Sequence, residues 1–154
     1  LQLRAAALLP RVLSRVWAAA YGVLVLVFWL QGAAVYGRDV RFIETEMVAA
    51  ARWVAVHTPP DAVIAAHDIG ALGYFAERPL LDLAGLVSPD VIAFIRDEDR
   101  LAEWLTASGA EYLMTFPSWY PGLVSRLEGQ VLYRTEGVGG YDNLVVYRWP
   151  PGQR

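Results

Sequence analysis

The chain has 154 residues, 56% of them hydrophobic and 19% charged, with a net charge of −3 and no cysteine. Nothing in that balance suggests the basic face a nucleic-acid partner requires. The absence of cysteine removes disulfides, zinc–thiolate sites and thiol nucleophiles together.

The apolar excess lies before Arg38. Leu1 to Leu9 (LQLRAAALL) reads as the last turns of a preceding membrane helix that Pro10 ends, and residues 10–15 then read as a short basic cytoplasmic loop. Residues 16–36, VWAAAYGVLVLVFWLQGAAVY, carry no charge and have the length an apolar helix needs to cross a bilayer. Trp17 and Tyr21 near one end, and Trp29 and Tyr36 near the other, suit two interfacial belts. A signal peptide is the rival, but no clean cleavage site is followed by a mature start. Arg4, Arg11 and Arg15 precede the span without an acid, whereas Arg38, Asp39, Arg41, Glu44 and Glu46 follow it as a mixed set. The basic side stays in the cytoplasm, so residues 38–150 are expected outside it. The expected location is a cell membrane.

In the outer part, Ile43, Met47, Ala50, Val54 and His57 share one face of a helix expected over 42–57. Thr58-Pro59-Pro60-Asp61 stops it. Residues 62–66 (AVIAA) form a short apolar run, expected to be a buried parallel strand. Asp68 is expected to cap a short helix, and residues 79–83 to form a second strand. Ser88-Pro89-Asp90 is a helix-start signal for a helix running to Arg96. Asp97 is expected to cap the next helix, with Leu101, Trp104 and Leu105 inward and Gly109 ending it. Residues 111–116 give a third strand, 121–127 a short helix closed by Gly129, and 131–135 with 144–149 a hairpin joined by a long loop. The expected fold class is α/β: one N-terminal transmembrane helix, then a small three-layer α/β domain with a mostly parallel sheet and a C-terminal hairpin. Residues 151–154 are expected to be a tail.

His67 and Asp68 end the first strand and Asp82 ends the second, and ligands of open α/β sheets gather outside the carboxyl ends of strands. His67 can act as a base near neutral pH, His67 with Asp68 and Asp82 can hold a metal, or the two carboxylates can bind sugar hydroxyls. The plainer alternative is that Asp68 caps the helix, Asp82 collects loop amides and His67 packs with one hydrogen bond. His57 reads as structural, on the helix stripe. No ligand spacing resembles a metal motif, and Gly70 and Gly73 match no phosphate loop. Trp53, Trp104, Trp119 and Trp149 read as core or membrane-facing anchors rather than a sugar-stacking platform. Trp119-Tyr120 is the exception to watch, because it occupies a Pro- and Gly-flanked loop. The candidate binding residues are therefore His67, Asp68, Asp82, Trp119 and Tyr120; no catalytic or metal-binding residue and no cofactor is expected.

The stretch WVAVHTPPDAVIAAHDIGALGYFAERPLLDLAGLVSPDV, Trp53 to Val91, resembles the segment after the last membrane helix in multi-spanning bacterial glycosyltransferases of the C superfamily. These are relatives of the dolichyl-phosphate-mannose–protein mannosyltransferases and lipid A arabinosyltransferases. The likeness is dense over about a quarter of the chain and extends to the rest only in layout. It implies an outer location and a polyprenyl-phosphate sugar donor. It also implies a catalytic acid in a first outer loop that this chain does not contain. The partners it implies are the lipid bilayer, upstream membrane helices of the same protein, and a lipid-linked sugar or acceptor glycan. The competing expectation is a stand-alone membrane-anchored binding or interaction domain without catalysis.

Overall fold

The computed structural model describes residues 2–137 and 142–150, with side chains from residue 10. The tail over 151–154 and the centre of the hairpin loop lie outside the described residues. The chain divides into two units, Leu1–Val40 and Arg41–Arg154.

The first unit is a single helix, α1 (Gln2–Phe42), whose last residues pass into the second unit. It contains a stretch long and apolar enough to cross a membrane. Its large apolar side chains, Trp17, Phe28, Trp29 and Tyr36 among them, are exposed on all sides, as suits a helix whose solvent is lipid. The expected break at Pro10 is absent, and residues 10–15 are helical. One proline removes one backbone donor, and the alanines and leucines before it favour helix strongly enough to carry the helix through.

In the second unit the helix expected over 42–57 has a change of phase. Ile43–Val48 is π-helical and only Ala49–His57 (α2) returns to α geometry. The wider turn moves the buried face by one residue. Glu46, Val48, Ala50, Ala51 and Val54 point inward, while Ile43 and His57, both expected on the core stripe, are exposed. His57 instead stacks on Trp53, with ring centroids 4.5 Å apart.

The remaining elements are β1 (Ile64–Ala66), α3 (Gly70–Phe75), β2 (Leu80–Asp82), a 3-10 helix (Pro89–Phe94), α4 (Glu98–Ala107), β3 (Tyr112–Thr115), α5 (Pro121–Ser125), β4 (Val131–Arg134) and β5 (Val145–Arg148). The sheet order is β2-β1-β3-β5-β4. β1 pairs with β2 and β3 in parallel, whereas β5 pairs with β3 and β4 antiparallel. The sheet is therefore mixed, not mostly parallel. The crossover through α5 carries β4 past β3 and leaves a gap of one strand, which β5 fills as the return arm of the hairpin.

Alternating strand residues feed two cores. Leu113, Val145 and Tyr147 meet Leu101 and Leu105 of α4 and Leu123 of α5. Ile64, Tyr112, Met114 and Val146 meet Ala50, Ala51 and Val54 of α2 and Leu72 of α3. These are the three layers expected, since each sheet face must be covered by helix.

Three capping expectations resolve differently. Asp97 caps α4, accepting from the Arg100 amide at 3.1 Å. Asp68 is not the N-cap of α3: Ile69 is, and the Asp68 carboxylate accepts only a long contact of 3.4 Å from the Gly70 amide. The Ser88 side chain does not cap the 3-10 helix; its Oγ accepts from the Asp82 amide at 3.3 Å.

Gly85 turns the chain after β2 with φ +80°, and a Cβ there would lie 2.6 Å from Ile92 Cγ1. Gly85→Ala should cost about 1–3 kcal/mol from backbone strain and this collision. A thermal melt of the intact chain checks it, and an unchanged midpoint would contradict the packing described.

Candidate functional site: a crevice at the carboxyl ends of β1 and β3

β1 delivers His67 directly from its carboxyl end, and the turn after β3 delivers Trp119 and Tyr120. Tyr120 occupies the N-cap position of α5 and Pro121 its first turn, so the start of α5 fixes the tyrosine. The Tyr120 side chain is buried and its hydroxyl lies 2.6 Å from His67 Nδ1. Burial, and then the charges of Asp82 and Glu98, push the phenol's pKa up to about 12. The phenol therefore keeps its proton, and its contact with Nδ1 holds the imidazole ring in place; which of the two groups donates follows the imidazole tautomer. The Trp119 indole meets the His67 ring edge-on at 4.9 Å, and it is 46% exposed. Phe116 supports Trp119 from behind, also at 4.9 Å.

Together with Ile95, Arg96 and Glu98, these three residues line an open cavity of about 620 Å³. Glu98 Oε2 accepts the Leu123 amide at 2.7 Å and so closes the start of α5. A Cβ on Gly122 would lie 2.9 Å from that oxygen, so the glycine lets the carboxylate approach the helix end. The lining combines an aromatic face, a fixed imidazole, a guanidinium and a carboxylate. That set suits a polar ligand with one apolar face, oriented by a few hydrogen bonds.

Of the residues singled out from sequence, the structure brings His67, Trp119 and Tyr120 together. Asp82 is fully buried, and its two oxygens accept the Ala84 and Val87 amides at 2.8 and 2.7 Å. It holds the turn after β2 and is not among the residues lining the cavity. Asp68 does not line it either. Sequence reasoning missed Ile95, Arg96 and Glu98. Their one signal was position, at the junction of two expected helices, and only the sheet order shows that this junction faces β1 and β3.

The raised phenol gives a pH expectation. The unfolded tyrosine releases its proton near its ordinary value of 10.0, before the folded one does. Stability is therefore intact below about pH 10 and falls as pH rises towards 12. Tyr120→Phe should flatten that alkaline loss, as read from unfolding midpoints across the range; an identical profile in the variant would contradict the assignment.

A family model described as "Domain of unknown function (DUF8728)" matches residues 35–147. No curated protein and no solved structure matches the chain.

Proposed function

The chain belongs to the DUF8728 domain family, and for it we propose a ligand-binding role within a membrane glycosyltransferase. On this reading the α/β domain lies on the extracytoplasmic side of a cell membrane. It holds the sugar of a polyprenyl-phosphate donor, or the acceptor glycan, in the crevice beside His67. The catalytic acid belongs to another part of the protein, and no residue here performs the transfer. The observation that carries the reading is the convergence of Trp119, His67, Tyr120 and Arg96 on one open cavity of about 620 Å³. An exposed indole supplies the stacking face that a pyranose ring uses. The imidazole Nε2 and the guanidinium supply directional polar contacts for hydroxyl or phosphate oxygens. Arg11 and Arg15 ahead of the apolar stretch support the orientation, and the Trp53 to Val91 likeness supports the donor class.

The test is a titration of the intact chain, reconstituted in lipid nanodiscs, with short-chain polyprenyl-phosphate hexoses and with glycan fragments. Trp119→Ala and His67→Ala should each weaken binding about tenfold or more, equivalent to ~1.4 kcal/mol. His57→Gln should leave it unchanged. Saturable binding that ignores both substitutions would move the site elsewhere. Binding of protein partners but of no sugar would favour the anchored interaction domain.

A further inference from the structure

The turn that follows β2 and the 3-10 helix after it expose three large aliphatic side chains. Leu86 is 79% exposed, Val87 64% and Ile92 59%. They form one crest, because Ile92 packs against Gly85 at the base of the turn. The crest is held in place from inside. The buried Asp82 carboxylate accepts the Ala84 and Val87 amides, and the Gly85 amide donates to the Asp82 carbonyl at 3.4 Å. A turn with its backbone fixed this firmly carries leucine and valine outward, where turn chemistry alone favours polar residues.

From this crest we infer that the domain docks on the surface of a lipid bilayer, with Leu86, Val87 and Ile92 entering the interfacial layer. Three observations favour lipid as the occupant. The chain carries a helix apolar and long enough to span a membrane, so a bilayer is present at high effective concentration. The domain begins at Arg41, and Phe42 stacks on Phe116 just beyond the carboxyl end of β3 with centroids 5.8 Å apart. The domain's own first residues thus lie at the pole that carries the crest. Third, a hollow of about 370 Å³ continues from Ile92 to Arg96 and Arg100, and the Arg100 guanidinium lies 5.1 Å over the Phe94 ring. Arginines beside an apolar crest can reach headgroup phosphates while their stems stay on apolar surface.

Asp90 and Asp97 share the segment, so the patch is not strongly basic and the attachment is chiefly apolar. It should therefore survive high salt, unlike an electrostatic one. Ile95 and Arg96 line both the crevice beside His67 and the hollow. Docking would hold that crevice near the headgroup plane, but the inference stands whether or not the crevice takes a sugar.

The chain has no cysteine, so single labels are clean. Leu86→Cys in the full chain carries an environment-sensitive fluorophore, in phosphatidylcholine vesicles containing nitroxide lipid. Val56→Cys is the comparison: it is 77% exposed near the end of α2, at the opposite pole. The label at 86 should be blue-shifted and strongly quenched at both low and high salt, and the label at 56 should be neither. Adding Val87→Ser and Ile92→Ser to the Leu86→Cys chain should lower the docked-to-free ratio about tenfold or more, since each removes apolar area from the contact. Equal water exposure at 86 and 56 would overturn the inference. So would shielding of residue 86 that nitroxide lipid does not quench, whether from a second copy or from another protein.

Discussion

Glu46→Ala is expected to lower stability by about 2–4 kcal/mol, a large share of the stability of an ordinary domain. Glu46 is fully buried in the π-helical turn. Its Oε2 accepts the Leu144 amide at 2.9 Å and the Thr135 hydroxyl. Those two residues flank the loop between β4 and β5, so one carboxylate fastens the first helix of the domain to the base of its last hairpin. Alanine leaves the Leu144 amide buried without an acceptor and opens a cavity, while the Thr135 hydroxyl can turn to the Leu144 carbonyl at 3.2 Å. The other oxygen, Oε1, is buried without a partner. That makes glutamine the informative contrast. Its amide oxygen can accept both donors, while its NH2 group takes the unpartnered place of Oε1. Glu46→Gln should therefore recover only part of the alanine loss. Hydrogen exchange of the Leu144 amide separates the two: slow in the parent and in Glu46→Gln, fast in Glu46→Ala. Equal protection in all three would mean the carboxylate does not fasten the hairpin.

Asp82→Ala should cost about 2–5 kcal/mol, because the Ala84 and Val87 amides lose their acceptor together. The damage should centre on the turn after β2. Asp82→Asn keeps one oxygen acceptor but sets an NH2 group against the other amide, so it should recover only part of the loss. Local exchange at Val87 and the global melt read the two effects separately. A variant with normal stability and normal Val87 protection would return Asp82 to the list of binding residues. The prediction also separates Asp82 from His67: Asp82 variants should weaken ligand binding only in proportion to lost folding, whereas His67→Ala should weaken it in a fully folded chain.

The layers and the position of every strand were legible because their signals are local. Short apolar runs bounded by Pro59-Pro60, Pro79, Gly109 and Gly129 fix where strands start and stop, and Asp97 announces α4. The direction of β5 was not legible. Whether the last strand adds at the edge or fills a gap beside β3 depends on pairing between distant segments, which periodicity does not encode. The π-helical turn was equally hidden. Ile43, Met47, Ala50 and Val54 match a regular helical stripe, and only the demand of Leu144 and Thr135 for an acceptor explains why Glu46 takes the inward place. At the site, His67 and Trp119-Tyr120 were readable from strand ends and a proline-flanked loop. Asp82 shares their pole of the sheet but turns its oxygens to its own loop, an outcome sequence position alone leaves open. Arg96 and Glu98 join the crevice through tertiary packing of the segment before α4 against the turn after β3.

The most direct test of the crevice is photo-cross-linking in the membrane. A polyprenyl-phosphate sugar bearing a diazirine on the sugar ring is equilibrated with the full chain in nanodiscs, irradiated, and the labelled peptides are sequenced. Label is expected on the segments containing His67 and Trp119-Tyr120, abolished by excess unlabelled donor or acceptor glycan and lost in Trp119→Ala. Label confined to α1, or label that no sugar competes away, would contradict it.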